Sequence, residues 1–307
     1  MRTYLKYLHK NYFTALILPL LVFSACKKEQ IVLTPDFDVT VDKTTYAVNE
    51  PITFNFTGTG DVVTFFSGAP GKEYKYKDRY RVDGKPQMLF TSFRQGTSTQ
   101  ANTLSVLLSK DFTNIYDIDN LQKATWTDIT SRATLSTGVD NTASGVIDLT
   151  DLQTPDVPIN IAFKYTAKKD AVVAQPTWTI KNFVINNVAD GIIYPIGIST
   201  AAPSISWGAV NVLGANAWSS TATQLQFTGG AINAEDNEDW IITQPIQLDR
   251  VQRVFGLNIK NSPTATLTKY IFTGYIATGT YTVTFEAINA NKWDKKTIVK
   301  EFTITVQ

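Results

Sequence analysis

The sequence predicts an all-β protein, and three observations support that prediction. Short segments rich in Val, Ile, Thr, Tyr and Phe recur along the 307 residues and are separated by Gly, Asn, Asp and Pro. Threonine, a β-branched residue common in strands, occurs 42 times. No stretch repeats apolar residues at three- and four-residue spacing over several turns, as an amphipathic helix requires.

Residues 279–306 predict a β-hairpin. Tyr281, Val283 and Phe285 alternate with polar residues, as a half-buried strand requires, and a polar turn separates them from a second alternating segment. The Gly-x-Tyr at the start of this hairpin resembles the last two strands of polycystic-kidney-disease-type and other immunoglobulin-like domains. Such a sandwich needs about seven strands, and this end of the chain offers only one more, at 270–275.

The missing strands are predicted at the other end of the chain. The segments FDVTVD (37–42), PITFNFTG (51–58) and DVVTFFSG (61–68) resemble the first three strands of the same kind of domain, and 73–82 offers a fourth. We therefore predict a discontinuous immunoglobulin-like sandwich that comprises residues 34–84 and 267–307. The alternative is a separate small β domain at each end.

Residues 85–266 are long enough for an inserted second sandwich. Eight candidate strands are predicted there: 88–93, 103–108, 125–129, 159–165, 177–185, 224–227, 240–242 and 253–259. The motifs ATWTDIT, SGVIDLTDL, INIAFKYTAK and NEDWIITQPIQL, together with FFSGAPGKEYKYKDR, resemble a Bacteroidota lipoprotein family of unknown function. EDWIITQP is similar to the Asp-Trp-Leu-x-x-Pro signature of cleaved-adhesin and choice-of-anchor domains, which implies a galactose-binding-like jelly roll on a cell surface and no established activity.

The amino terminus predicts a secretory signal peptide over residues 1–25. Arg2, Lys6 and Lys10 precede an apolar run that ends at Ala25. The run is shorter than the roughly 20 apolar residues that a membrane-spanning helix needs. We therefore expect export rather than a transmembrane segment.

Ser24-Ala25-Cys26 resembles the lipobox of bacterial lipoproteins, in which the cysteine thiol receives a diacylglycerol. We therefore expect Cys26 to be a lipid attachment point, with residues 26–33 as a tether. The protein would then sit in the outer membrane through its lipid alone, exposed at the cell surface. The alternative is an ordinary secretory peptide followed by a free thiol, which would be an unpaired liability in an exported chain.

Charge and composition exclude several function classes. Cleavage before Cys26 removes three of the 28 Lys and Arg and the only histidine, leaving 25 basic against 27 acidic residues, a formal charge of −2. A nucleic-acid partner is not expected, because it requires a concentrated basic face. Without histidine or a second thiol, no Ser-His-Asp triad or Cys-His pair can form, and we expect no enzyme. A glycoside hydrolase, which needs only two carboxylates, is a distant alternative.

An acidic turn before Trp240 is the candidate metal site. It contains Asp236, Asn237, Glu238 and Asp239, whose carboxylate and amide oxygens are the ligands that calcium prefers. The resembling jelly rolls often carry a structural calcium near this edge, so we expect one here, with Asp239 as the strongest ligand. The alternative is a solvated acidic turn without metal.

The candidate ligand site consists of Trp207, Asn211, Asn216 and Trp218. The two tryptophans flank the loop-rich segment GAVNVLGANA, where indole faces can stack on sugar rings and amides can donate hydrogen bonds. The alternative is that both indoles seal the core.

Two functional hypotheses follow. In the first, the protein is a binding module that captures a glycan, a host matrix component or a surface protein. In the second, it is an envelope structural or assembly protein whose partner is another protein.

Overall fold

The structure is a computed structural model that describes residues 31–198 and 204–307. The predicted signal peptide and Cys26 lie outside the described residues. Within them the fold is all-β, as predicted, with twenty strands and one α-helix. The strands are β1 (Asp36–Val41), β2 (Thr45–Tyr46), β3 (Ile52–Thr59), β4 (Val62–Phe66), β5 (Lys85–Gln95), β6 (Leu104–Ser109), β7 (Thr127–Asp128), β8 (Thr142–Ala143), β9 (Ile147–Asp148), β10 (Asn160–Ala167), β11 (Thr177–Ala189), β12 (Ile192–Ile198), β13 (Trp207–Leu213), β14 (Trp218–Ser220), β15 (Gln224–Phe227), β16 (Asn237–Thr243), β17 (Leu257–Lys260), β18 (Lys269–Phe272), β19 (Gly279–Ala290) and β20 (Lys295–Val306).

The helix, α1 (Ile118–Lys123), is capped by Asp117, whose carboxylate accepts a hydrogen bond from the backbone N–H of Asn120 at 2.8 Å. Short 3-10 turns occur at Tyr74–Tyr76, Thr130–Arg132 and Thr150–Leu152. In the part of the chain that the structure describes, no helix is both long enough and apolar enough to cross a membrane.

The chain forms two compact units. The terminal unit contains the described residues up to Ala69 together with Gly256–Gln307, and the central unit contains Pro70–Phe255. The boundaries expected from the sequence, after residues 84 and 266, lie further along the chain. They differ because the segment before residue 84 bonds within the central unit, where Val82 N–H donates to the carbonyl of Asp249 at 2.9 Å, and because β17 pairs with β4 in the terminal unit.

The terminal unit is a sandwich of two sheets. Strands β1, β3 and β18 form one sheet, and β17, β4, β19, β20 and β2 form the other in that order. Phe54 and Phe56 of the first sheet pack edge-on against Phe285 of the second, with ring centroids 4.9 and 5.3 Å apart. These contacts fill the core with aromatic surface, which contributes most of the burial energy available to so small a unit.

The strands of the terminal unit follow the predicted alternation in part. In β1, Phe37 and Val39 are buried while Asp38 between them is exposed, and β19 and β20 form the predicted hairpin. The half-buried alternation predicted for β19 is wrong, because Thr284 and Glu286 are buried as well. The fourth strand predicted at 73–82 is wrong, because a 3-10 turn begins there and the segment belongs to the central unit. The edge position beside β4 is occupied by β17 instead.

The central unit is also built from two sheets. One has the order β13, β16, β10, β6, β7, and the other has the order β14, β15, β11, β5, β8, with β12 paired to β11 and β9 paired to β5. Between them Phe90 meets Phe163 edge-to-face at 5.1 Å, and Tyr165 stacks on Phe227 at 3.8 Å. The assignment of these sandwiches to the immunoglobulin-like and jelly-roll classes stays a prediction.

In the central unit, the sheet of β13, β16, β10, β6 and β7 carries a second apolar layer on its outer face. Trp240 and Ile242 of β16 cluster there with Leu121 of α1 and with Phe112. Because both faces of this sheet are covered, its strands read as nearly continuous apolar runs, such as DWIIT, rather than as alternating segments. The direction of each side chain on β16 therefore decides the chemistry of the predicted acidic site.

Candidate functional site

The acidic residues of β16 point to opposite faces of the sheet. Ile241 lies in the core between the two sheets, so Asp239, two residues earlier, faces the same way. Trp240 lies in the outer apolar layer, and Glu238 shares that outer face. The strand therefore splits the predicted cluster into an inward pair, Asn237 and Asp239, and an outward residue.

Asp239 is a fully buried acid. Its residue exposure is 0%, and neither carboxylate oxygen has a hydrogen-bond partner among the residues that the structure describes. Burial, and to a smaller extent the nearby charge of Glu238, raises the pKa of this carboxyl to about 7. A buried carboxylate is costly unless it is protonated, hydrogen-bonded or bound to a cation.

Asn237 adds a third such oxygen on the same face. Its Nδ2 donates to Gln175 Oε1 at 2.6 Å, whereas its Oδ1 is buried and has no donor in the described part of the chain. Gly214, at a φ of +98°, lies so close that a Cβ there would come within 1.9 Å of Asn237 Oδ1. The inward face of β16 thus presents three unsatisfied buried oxygens, two from Asp239 and one from Asn237.

The remaining acids of the turn have cationic partners. Lys168 Nζ pairs with Asp236 at 2.8 Å, and this hydrogen bond lowers the pKa of that carboxyl. Lys164 Nζ pairs with Glu238 at 3.1 Å. Among the described residues, no three His, Cys, Asp or Glu side chains come together as a metal-binding group. Of the four predicted calcium ligands, Asp239 and Asn237 therefore have buried oxygens without a partner among the described residues, whereas Asp236 and Glu238 pair with lysines.

Trp218 belongs to the core. Its exposure is 6%, its ring meets Phe227 edge-on at 5.7 Å, and its Nε1 donates to the backbone carbonyl of Asp239 at 3.3 Å. The indole face is therefore not open to a sugar ring, and the expected role as a stacking platform is wrong for this residue. The alternative considered from the sequence, sealing the core, describes it.

Trp207 is partly buried and also packs against the core. Its ring lies 5.0 Å from that of Phe183 and 5.9 Å from that of Phe163. It starts β13 opposite Thr243, whereas Asn211 lies opposite Asp239 in the same ladder. Trp218 contacts Asp239, and Asp239 and Thr243 are four residues apart, which is about 13 Å along a strand. Trp207 and Trp218 therefore do not form a paired platform.

Asn211 and Asn216 hold the turn between β13 and β14. Asn211 Nδ2 donates to the carbonyls of Gly214 and Asn216 at 3.2 and 2.8 Å, and Asn216 Nδ2 donates to Thr228 at 2.7 Å. Their donors are thus used within the loop. The structure does bring this loop beside the acidic strand, since Asn211 and Trp218 both neighbour Asp239.

Sequence reasoning missed a surface groove elsewhere on the central unit. It has a volume of about 440 Å³. Tyr80 and Phe255, which are 59% and 67% exposed, form its rim together with Arg250 and Arg253, while Ile196 and Val251 lie at its base. We call these six residues the aromatic-cationic groove.

Arg253 joins the two aromatic residues of the groove. Its guanidinium lies 5.5 Å from the ring centroid of Tyr80 and 5.9 Å from that of Phe255, within the range of cation–π attraction. The N–H of Val251 donates to the carbonyl of Tyr80 at 2.8 Å, so the two segments that form the groove are held side by side. Val251 is itself buried against Tyr194, which anchors the base.

The sequence contains a signal for this surface in the segment KEYKYKDRYR. Tyrosines alternate with Lys and Arg there, a period of two that is typical of a strand. In the structure the alternation instead places cations on aromatic faces: Arg79 lies 3.7 Å from the ring centroid of Tyr76, and Lys77 lies 4.5 Å from that of Tyr74. A polar partner on every tyrosine is typical of a solvated surface rather than of a half-buried strand.

Comparison with known proteins gives one family. The family model described as a domain of unknown function (DUF5017) matches residues 25–202, more than half of the chain. No curated protein and no solved structure matches significantly.

Proposed function

The chain belongs to the DUF5017 family, a domain of unknown function, and from that premise we propose that it is a non-catalytic, lipid-anchored protein of the outer membrane that binds a glycan at the cell surface. The observation that carries the proposal is the aromatic-cationic groove. Exposed aromatic faces beside guanidinium donors match the two sides of a sugar, its apolar C–H face and its polar rim. A rigid backbone beneath them lowers the entropic cost of binding.

A glycan array, probed with soluble protein that begins at Lys27, tests this function. The protein retains every residue that the structure describes. We expect the Tyr80→Ala/Phe255→Ala double variant to lose binding, since each exposed stacking aromatic contributes roughly 1 kcal/mol. Trp293→Ala is the matched control, because Trp293 is 57% exposed and has Lys292 over its ring, yet belongs to the terminal unit.

Two results would count against the proposal. Retained binding by the double variant would exclude the groove as the contact surface. Absence of any glycan binding by the wild-type protein would favour the alternative, an envelope assembly protein whose partner is another protein.

Membrane attachment is the second part of the proposal. The Ser24-Ala25-Cys26 motif, which resembles a lipobox, and the resemblance to Bacteroidota lipoproteins support lipidation of Cys26 and display on the outer membrane. We expect Cys26→Ala to move the protein from the membrane fraction to the soluble fraction of cells. Recovery of the variant in the membrane at the wild-type level would contradict a lipid anchor.

The buried oxygens of β16 support a structural calcium. Asp239 supplies two unpartnered oxygens and Asn237 supplies one, and calcium is bound by carboxylate and amide oxygens of this kind. A bound cation would neutralise the buried carboxylate and fix β16 beside the β13–β14 turn. This role is structural, since the ion would be enclosed in the sandwich.

Thermal melts in calcium and in chelator test the calcium proposal. Calcium at about 100 times its Kd would add roughly 2.7 kcal/mol of stability. We expect this gain in the wild type and its loss in Asp239→Asn, with Asp236→Asn, an acid paired to Lys168, as the control. A wild-type melt that does not respond to calcium would leave Asp239 as a protonated core acid.

A further inference from the structure

We infer that the aromatic-cationic groove selects an anionic glycan, one whose sugars carry carboxylate or sulfate groups. This inference rests on the proposed function, because it names the ligand class of the same surface. It depends on how the positive charges of the groove are placed and on how few of them are neutralised.

The positive charges of the two arginines of the groove are available to a ligand anion, because no strong ion pair among the described residues neutralises them. Arg250 is exposed, and the described residues place no carboxylate within ion-pair distance of it. Arg253 reaches Asp78, but at 3.4 Å and to a carboxylate whose side chain is 72% exposed. Such a solvated pair contributes little and is readily exchanged for a ligand anion.

The position of Arg253 suits a charged sugar. Its guanidinium lies near the rings of both Tyr80 and Phe255. Its Nε donates to the backbone carbonyl of Lys77 at 3.2 Å, and its Nη2 donates to Asp78 at 3.4 Å. When a ligand anion displaces Asp78, the two terminal nitrogens can donate two parallel hydrogen bonds to a carboxylate or a sulfate. One sugar ring on an aromatic face and its acidic group on the guanidinium would therefore be recognised together.

The surrounding surface adds to the attraction. Residues 72–85 contain six Lys and Arg against three Asp and Glu. This local excess of positive charge contrasts with the formal charge of −2 of the chain from Cys26 onward. Arg79 and Arg81 pair with Asp190 and Asp156, which lie outside this segment, so the excess is smaller in the structure than in the segment alone. Positive charge beside the groove raises the rate of encounter with a polyanion and makes binding dependent on salt.

An acidic peptide that adds as a β-strand fits the groove less well. Strand addition needs free backbone donors and acceptors along an edge. At this point the N–H of Val82 donates to Asp249 and the N–H of Val251 donates to Tyr80, so these two segments already bond to each other. The groups left for a ligand are the side chains of the aromatic-cationic groove.

Affinity electrophoresis of the soluble chain from Lys27 tests the inference with four probes. Polygalacturonate supplies carboxylates, dextran sulfate supplies sulfates, unmodified dextran is the neutral match, and poly-glutamate is an acidic peptide. We expect one or both anionic polysaccharides to bind at least about tenfold more tightly than dextran and poly-glutamate, on the scale of one or two charged hydrogen bonds. Binding of only one of the two polysaccharides would identify the anion as carboxylate or as sulfate, and binding of both would mean that the groove accepts either.

Arg250→Gln/Arg253→Gln should abolish that tenfold preference while leaving the melting temperature unchanged. Lys123→Gln, which removes an exposed positive charge from the end of α1, is the matched control and should bind as the wild type does. Wild-type affinity in the arginine variant would overturn the inference, and so would equal binding of dextran or of poly-glutamate. Binding of neutral glycans alone would overturn the anionic specificity and leave the proposed function standing, whereas binding of no polysaccharide would overturn both.

Discussion

The indole Nε1 of Trp218 donates a buried hydrogen bond to the backbone carbonyl of Asp239, with a donor–acceptor distance of 3.3 Å. Trp218 lies in β14 and Asp239 in β16, so the bond joins the two sheets of the central unit. The ladder between β13 and β16 shifts register between Asn211 and Leu213, next to the pair of Asn211 with Asp239. Trp218 therefore links the two sheets at the point where the pairing of β13 with β16 is irregular.

Replacement of Trp218 should destabilise the protein. Trp218→Ala removes a buried aromatic and one hydrogen bond, and we expect a loss of about 3–5 kcal/mol in the free energy of unfolding. Urea titration followed by circular dichroism measures this. Trp293→Ala, an exposed tryptophan, should change stability by no more than about 0.5 kcal/mol. Equal stability of the two variants would show that Trp218 is not a core residue.

The buried acid predicts an unusual dependence of stability on pH. The pKa of Asp239 is raised from 3.8 to about 7 in the folded protein, first by burial and then by the charge of Glu238. Between these values the folded state holds a proton that the unfolded state has released. In chelator, this group should therefore make the free energy of unfolding fall as pH rises from about 4 to 7, by at most about 1.4 kcal/mol per pH unit.

Asp239→Asn should remove that contribution. Asp236→Asn is the control of opposite sign, because the hydrogen bond from Lys168 lowers the pKa of Asp236, so its stabilisation is lost as pH falls. Urea titrations across the pH range compare the three proteins. Parallel profiles for the wild type and Asp239→Asn would mean that this carboxyl titrates as an ordinary one.

Where one face of a strand was buried, the sequence was sufficient to predict it. In β1, the period of two correctly predicts that Phe37 and Val39 are buried. In β19 it predicts the strand but not its burial, because Thr284 and Glu286 are buried together with Val283 and Phe285. Strand β13 was missed because Gly208 and a nearby Gly-Ala-Asn turn suggested a loop. The Gly208 site is in fact filled by Tyr116, whose ring would come within 2.2 Å of an added Cβ. A packing contact between distant residues leaves no local pattern.

The candidate site shows the same limit. The sequence placed Asp236 to Asp239 in one acidic turn, but pairing of β16 with β10 and β13 decides which carboxylates face the core. Likewise, whether a tryptophan beside a loop stacks on a ligand or seals a core depends on the strand across from it. At residues 73–82 a period of two was present without a strand, because cation–π contacts occupy the tyrosine faces.

Removal of the last part of the chain should unfold the terminal unit. A chain that ends at Thr266 lacks β18, β19 and β20, so β3 and β4 lose partners within their sheets. We expect residues 31–69 to become accessible to protease while residues 70–255 remain resistant, because the central unit has its own core. Limited proteolysis with mass spectrometry locates the cuts. A protease-resistant fragment of residues 31–69 would contradict this dependence.

A single core residue tests the same organisation in the intact chain. Phe285 is fully buried in β19 and lies 4.9–5.3 Å from the ring centroids of Phe54, Phe56 and Phe65, which belong to the amino-terminal part of the terminal unit. Phe285→Ala should therefore cost about 3–5 kcal/mol of local stability. Hydrogen exchange should reveal faster exchange in β3 and β4, more than 200 residues away in sequence, as well as in β19.

Phe163→Ala is the matched control, because Phe163 is equally buried in the central unit and meets Phe90 and Phe183 edge-on. It should accelerate exchange in β5, β10 and β11 and leave β3 and β4 protected. The two substitutions remove the same side chain, so a difference in where protection is lost reports which core each ring belongs to. If Phe285→Ala instead raised exchange only in β19 and β20, the two ends of the chain would not share one cooperative core.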